Sequence, residues 1–96
     1  MPRIRRFIQE RPSENVEFYS PGEITVNKIN EYVSAGKTTG LETTISENNL
    51  VKTMTIEFTT EEDFINYVNE DTVLTSATNA IDYLEDNQIA FSLEDN

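Results

Sequence analysis

The chain has neither histidine nor cysteine, so any chemistry falls to carboxylates, hydroxyls and the side chains of lysine and arginine. Imidazole acid–base catalysis, the common nucleophile–base pairs and nitrogen- or thiolate-rich transition-metal sites are excluded by composition. Paired carboxylates could still run glycoside hydrolysis or hold a hard cation, given a cleft and an opposed geometry that 96 residues seldom provide. The densest acids, Glu61, Glu62 and Asp63, directly follow Thr59 and Thr60. Thr59 with Glu62 fits a capping box, and three carboxylates in a first helical turn are favoured by the helix dipole. Divalent-ion binding is the lesser alternative for this cluster. Asp82, Glu85 and Asp86 read as a solvated helix face, and Asp86, Glu94 and Asp95 do not match the spacing of a calcium loop. With no glycine-rich phosphate loop either, the sequence predicts no cofactor and no metal.

The arginines form the second group. Arg3, Arg5, Arg6 and Arg11 all fall in the first eleven residues, opposed only by Glu10, whereas from Thr53 onward there are eleven acids and no basic residue. The net charge of −11 therefore hides an abrupt change of sign. One reading puts the arginines on a solvent-facing edge strand, where charge discourages edge pairing. The other has them engage an acidic surface, on a second copy of the chain or on another protein. The second reading makes Arg3, Arg5, Arg6 and Arg11 partner-binding residues and predicts a homo-oligomer or a foreign protein partner. The acidic body disfavours nucleic acid and anionic membranes. No apolar run approaches the roughly 18–20 residues of a membrane span, and no apolar stretch follows the arginines as in a secretory signal. The expectation is a cytoplasmic protein, in the host cytoplasm or virion if phage-encoded.

The elements that must position these residues are legible from periodicity. Residues 3 to 11 read as a strand, with Ile4, Phe7 and Ile8 among charges, and Val16, Phe18 and Tyr19 as either more sheet or a packed loop. Val26, Ile29, Tyr32 and Val33 recur at helical spacing, with Gly36 placed as a C-cap glycine, which predicts a helix over 24–35. Leu41, Thr43 and Ile45 alternate, Ser46 to Asn49 supply turn chemistry, and Leu50, Lys52, Met54, Ile56 and Phe58 alternate again, which predicts a hairpin. A second helix carries Phe64, Ile65 and Val68, breaks near Asn69 to Asp71, and continues through Val73, Ala77, Ile81 and Leu84. Ile89, Phe91 and Leu93 end the chain in a strand. The order β-α-β-β-α-β predicts one α+β domain over 1–96, a ferredoxin-like split βαβ sandwich. Its four-stranded antiparallel sheet carries both helices on one face. The other face, with Val51, Thr53, Thr55 and Glu57 opposed by Glu42 and Thr44, is polar and suits a wet partner better than an apolar substrate cavity.

Phe58-Thr59-Thr60-Glu61-Glu62-Asp63-Phe64, Asp71-Thr72-Val73, Tyr83 and Asn87-Gln88-Ile89 resemble the second half of the small dimeric ferredoxin-like (ABM-type) α+β barrel proteins, over roughly the last forty residues. The segments 8–21 and 46–58 are similar in flavour to small uncharacterised proteins of marine tailed phages. The ABM-type resemblance implies monooxygenases and degradative enzymes that often use histidine, tryptophan or asparagine in an apolar pocket. The chain contains no histidine or tryptophan. The preferred expectation is therefore a non-enzymatic structural or interaction protein, viral in origin, that self-associates or docks through its arginine strand and acidic helices, with no small-molecule substrate. The alternatives are an acidic nucleic-acid mimic that inhibits a DNA- or RNA-binding protein, and a small ABM-like metal-independent enzyme.

Overall fold

The computed structural model describes residues 3–96. The elements run β1 (Arg3–Glu10), α1 (Glu23–Ser34), β2 (Thr38–Ile45), β3 (Val51–Phe58), α2 (Glu61–Val68), α3 (Asp71–Asp86) and β4 (Ala90–Asp95). The strands form one antiparallel sheet in the order β2-β3-β1-β4, the order of a ferredoxin-like split βαβ fold. The helices cover one face of it.

Alternation assigns each side chain to a face. Met54, Ile56 and Phe58 on β3 are buried beneath the helices. Their partners on β1 are Phe7 opposite Met54, Arg5 opposite Ile56 and Arg3 opposite Phe58. The opposite parity, Ile4, Arg6 and Ile8 with Thr53, Thr55 and Glu57, lies on the uncovered face, where Glu42 pairs with Thr55 and Thr44 with Thr53.

The local signals mostly act as their chemistry dictates. The hairpin turn is closed by polar side chains: the Leu50 amide donates to Asn48 Oδ1 at 3.1 Å and the Val51 amide to Ser46 Oγ at 3.1 Å. Gly36 follows α1 with φ of 74°, a left-handed backbone that glycine adopts without a Cβ penalty. The N-cap of α2 is Thr60, whose side chain accepts from the Asp63 amide. The cap thus sits one residue beyond the predicted Thr59, which instead donates its hydroxyl to Asp63 Oδ2 at 3.2 Å. Helix α2 ends at Asn69, whose side-chain amide donates to the Ile65 carbonyl at 2.9 Å, and α3 starts afresh two residues later.

One expectation changes. The strand rich in arginine is an inner strand, paired on both sides by β3 and β4, so its charges do not guard an edge of the finished sheet. Of the two readings of segment 16–19, the packed loop is the one adopted. It is fastened by Gln9, fully buried, whose amide accepts from the Tyr19 N–H at 2.8 Å and donates to the Tyr19 carbonyl at 3.0 Å. One side chain thereby satisfies the two backbone groups that a strand partner would otherwise have met.

The core is in two pieces. Ile29, Tyr32, Ile56, Phe58, Phe64, Tyr67 and Val73 form one buried cluster. Ala80, Leu84 and Ile89 form the other, with Phe7, Val16, Tyr19 and Tyr83 packed against it.

Candidate functional site

Between the two clusters lies a cavity of about 220 Å³. Its floor is the helix-side surface of the sheet: Leu41, Ile56 and Arg5 in one row across the strands, and Met54, Phe7 and Leu93 in the next. Its roof comes from Ile29 on α1, Tyr67 on α2, and Val73, Ala77, Ala80 and Ile81 on α3. The lining is overwhelmingly apolar. Leu41, Ile81, Phe91 and Leu93 remain 38%, 41%, 41% and 50% exposed and mark where the cavity meets solvent. An engineered apolar void of about 150 Å³ takes up benzene, so this one has room for an aromatic ring with a small substituent.

Of the stripe predicted for the second helix, Val73 and Leu84 are buried, joined by Ala80. Ala77 and Ile81 stay exposed because they look onto the cavity rather than into packed side chains. Likewise Ile65 is 47% exposed and Tyr67 takes the buried position.

Polar groups enter this wall at two places. At one, the Tyr19 hydroxyl lies 3.2 Å from Ser76 Oγ, with Thr25 nearby on the lining. At the other stand Arg5 and Tyr67. Arg5 is held by Asp95 directly across the strand pair, Nε to Oδ1 at 2.8 Å and Nη2 to Oδ2 at 2.9 Å, a fork-to-fork geometry that fixes the guanidinium plane. Its Nη1 has no hydrogen-bond partner among the described residues. Tyr67 is 5% exposed, packs edge-on against Tyr32 with centroids 5.4 Å apart and tilts against Phe58 at 5.0 Å. Its hydroxyl also has no partner among the described residues. Burial pushes the phenol above its usual value while the Arg5 charge pulls the other way, so Tyr67 is a protonated donor near neutral pH. No carboxylate lines the cavity among the described residues.

The remaining arginines are placed elsewhere. Arg3 bridges to Glu61 at 2.9 Å and lies 4.4 Å from the Phe64 ring centroid. Arg6 is on the uncovered sheet face, 3.6 Å from Glu94. Arg11 donates to the Asn49 and Val16 carbonyls at 2.8 and 2.9 Å and stacks on Phe18 at 4.2 Å. Three of the four thus meet acids of their own chain, two of them across the β1–β4 pair. The change of charge sign along the sequence becomes a basic strand laid beside an acidic one.

Sequence reasoning missed the cavity and Tyr67. It looked for binding on the uncovered face, whereas the apolar cavity lies under the helices. The i, i+3 spacing of Phe64 and Tyr67 was the available signal that Tyr67 faces inward.

No protein-family model and no curated protein matches the sequence. Solved structures of the ABM type do share its ferredoxin-like fold, in agreement with the resemblance. One, from Deinococcus radiodurans, is named as a candidate antibiotic biosynthesis monooxygenase; it superposes with a TM-score of 0.60 at 10% identity, over 98% of this chain and 89% of its own. A second of the same name, from Caulobacter crescentus, gives 0.57 at 12% identity over 98% and 87%. A hydroxynitrile lyase from Passiflora edulis gives 0.56 at 9% identity over 98% and 91%. At such identities the likeness is one of fold. It nonetheless corrects the expectation of a non-enzymatic protein, which followed from the absence of histidine and tryptophan and from the polar uncovered face: the chain adopts a fold in which named enzymes occur. These structures come from bacteria and a plant and lend nothing to the phage resemblance.

Proposed function

We propose that the protein is a small metal-independent enzyme that admits a compact, largely apolar organic molecule to the cavity and orients one of its oxygens with Arg5 and Tyr67. The observation that carries this reading is the cavity itself. A domain this small gains its stability from close packing, and here the centre of the core is left open and apolar, with two fixed donors at one wall. Such a site can polarise a bound carbonyl or hydroxyl oxygen, because donors aimed at a developing negative charge in an apolar surrounding act strongly. The composition supports metal independence: the chain has no imidazole or thiolate, and the wall has no carboxylate among the described residues. The enzymes that share the fold support catalysis over mere storage of a ligand.

The test is a screen of substituted benzenes against the labelled methyl group of Met54, on the cavity floor, by NMR. Compounds that shift it are then followed for conversion by mass spectrometry, with Arg5→Gln and Tyr67→Phe alongside. A Met54 methyl left unmoved by every compound overturns the reading, as does conversion that both variants leave unaltered.

A second reading concerns self-association, favoured by the uncovered sheet face. Ile4 and Ile8 flank Arg6 there, and no helix covers them. Of the four arginines, Arg6 alone belongs to that face of β1, so it is the partner-binding candidate we retain. Light scattering at low and high salt decides the matter: a monomer throughout removes this reading.

A further inference from the structure

Arg5 places a full positive charge in a wall that is otherwise uncharged and largely apolar, and a cation so placed is ordinarily the mark of a site for anions. Here the charge is already spent on an acid of the same chain. Asp95 takes Nε and Nη2 of Arg5 in two short hydrogen bonds, and both partners are more than half buried, with side chains 19% and 34% exposed. What faces a ligand is a neutral pair that still has N–H donors to offer. No lysine and no second arginine lines the cavity, and the chain around it carries a net charge of −11.

Resting on the reading of the cavity as a ligand site, we infer that Asp95 is its specificity-determining residue, making the site select neutral oxygen-bearing ligands over carboxylates of the same shape. The physical reason is desolvation. A carboxylate entering an apolar cavity loses its hydration and needs an uncompensated cation in return. Beside the Arg5–Asp95 pair it meets one positive and one negative charge, and it would become the third charge in the cluster. A neutral carbonyl gives up far less hydration and needs only one N–H or O–H, which Nη1 of Arg5 or the Tyr67 hydroxyl supplies.

Asp95 acts through Arg5 rather than by touching the ligand, so its removal has a directional consequence. Asp95→Asn leaves the shape of the strand end nearly intact and frees the Arg5 charge. Asp95 lies near the end of β4 and its side chain keeps 34% of its exposure, so water reaches the freed guanidinium and the change lowers stability without unfolding the sheet. Glu94→Gln, which removes an equal charge on the opposite face beside Arg6, controls for the change in net charge.

The experiment measures the dissociation constants of ethylbenzene, acetophenone and benzoate by shifts of the Met54 methyl resonance, for the parent chain and both variants, near pH 7. The parent is expected to hold acetophenone at least about tenfold more tightly than benzoate, by the difference between a satisfied and an unmatched buried charge. Asp95→Asn is expected to tighten benzoate by about tenfold or more and leave ethylbenzene unchanged, while Glu94→Gln leaves the ranking as it was. Benzoate binding as tightly as acetophenone in the parent, or gaining no affinity in Asp95→Asn, or gaining as much in Glu94→Gln, overturns the inference and leaves the ligand site standing. Failure of all three compounds to bind overturns both.

Discussion

Ala80 offers a direct measure of how empty the core is. It is 7% exposed on α3, lines the cavity and belongs to the smaller of the two buried clusters. Replacing it with leucine adds three carbons. In a close-packed core such an insertion forces neighbours apart and costs about 1–3 kcal/mol. If the added carbons enter the cavity, each is worth about 0.8 kcal/mol on burial, against roughly 0.5–1 kcal/mol for fixing the leucine rotamer. The net is a gain of about 1.5 kcal/mol. For a domain of this length about 1 kcal/mol moves the melting temperature by roughly 4–8 °C, so Ala80→Leu is expected to melt about 6–12 °C higher. The assay is thermal unfolding by circular dichroism, checked by urea midpoints at constant slope. The same variant is expected to bind aromatic compounds more weakly, because their space is taken. A variant that melts below the parent refutes the reasoning, since it shows that α3 and the sheet already touch and that the void closes in solution.

Tyr67→Phe removes a hydroxyl that has no hydrogen-bond partner among the described residues, so thermal unfolding is expected to change by less than about 0.5 kcal/mol. Oxygen-bearing ligands are expected to lose threefold to tenfold in affinity, the worth of one hydrogen bond, while ethylbenzene is unaffected; equal losses for all ligands would show that the hydroxyl does not reach them. The phenol of Tyr32, buried and donating to Glu70 Oε1 at 3.0 Å, is pushed up to about 12. A raised folded-state value means its stabilisation is complete below the unfolded value near 10 and is lost as pH climbs from there towards 12. Urea unfolding between pH 9 and 12 is expected to show that decline in the parent and a shallower one in Tyr32→Phe, and parallel curves would refute the assignment.

Much of the fold was legible because alternation and helical spacing bear directly on burial. Met54, Ile56 and Phe58 are buried as their period of two requires, and the break at Asn69 to Asp71 separates two helices. The cap moved by one residue because Thr59 and Thr60 are both capping types, and only the backbone angle at Thr60 chooses between them. The central place of β1 was implicit in the predicted topology but hidden by composition, since a strand dense in arginine reads as an edge. What makes it an inner strand is Asp95 and Glu94 arriving opposite Arg5 and Arg6, a matter of topology and register across ninety residues. The cavity was least legible of all. Ala77 and Ile81 have the spacing of core residues whether they touch neighbours or face a void, and an absence of atoms leaves no periodic trace.

The pairing of β1 with β4 also governs the order in which the molecule can be made. The Ile4 amide donates to the Asn96 carbonyl and the Asn96 amide to the Ile4 carbonyl, both at 2.8 Å, so β1 is completed by a strand made some ninety residues after it. Contacts so distant in sequence are closed late and slow the search for the native state. Until they close, β1 has one open side, Asp95 is not in place beside Arg5, and Phe91 and Leu93 are missing from the cavity wall. In that interval Arg5 and Arg6 lack the acids of β4 and stand as charges along an open strand, an arrangement that discourages edge-to-edge pairing.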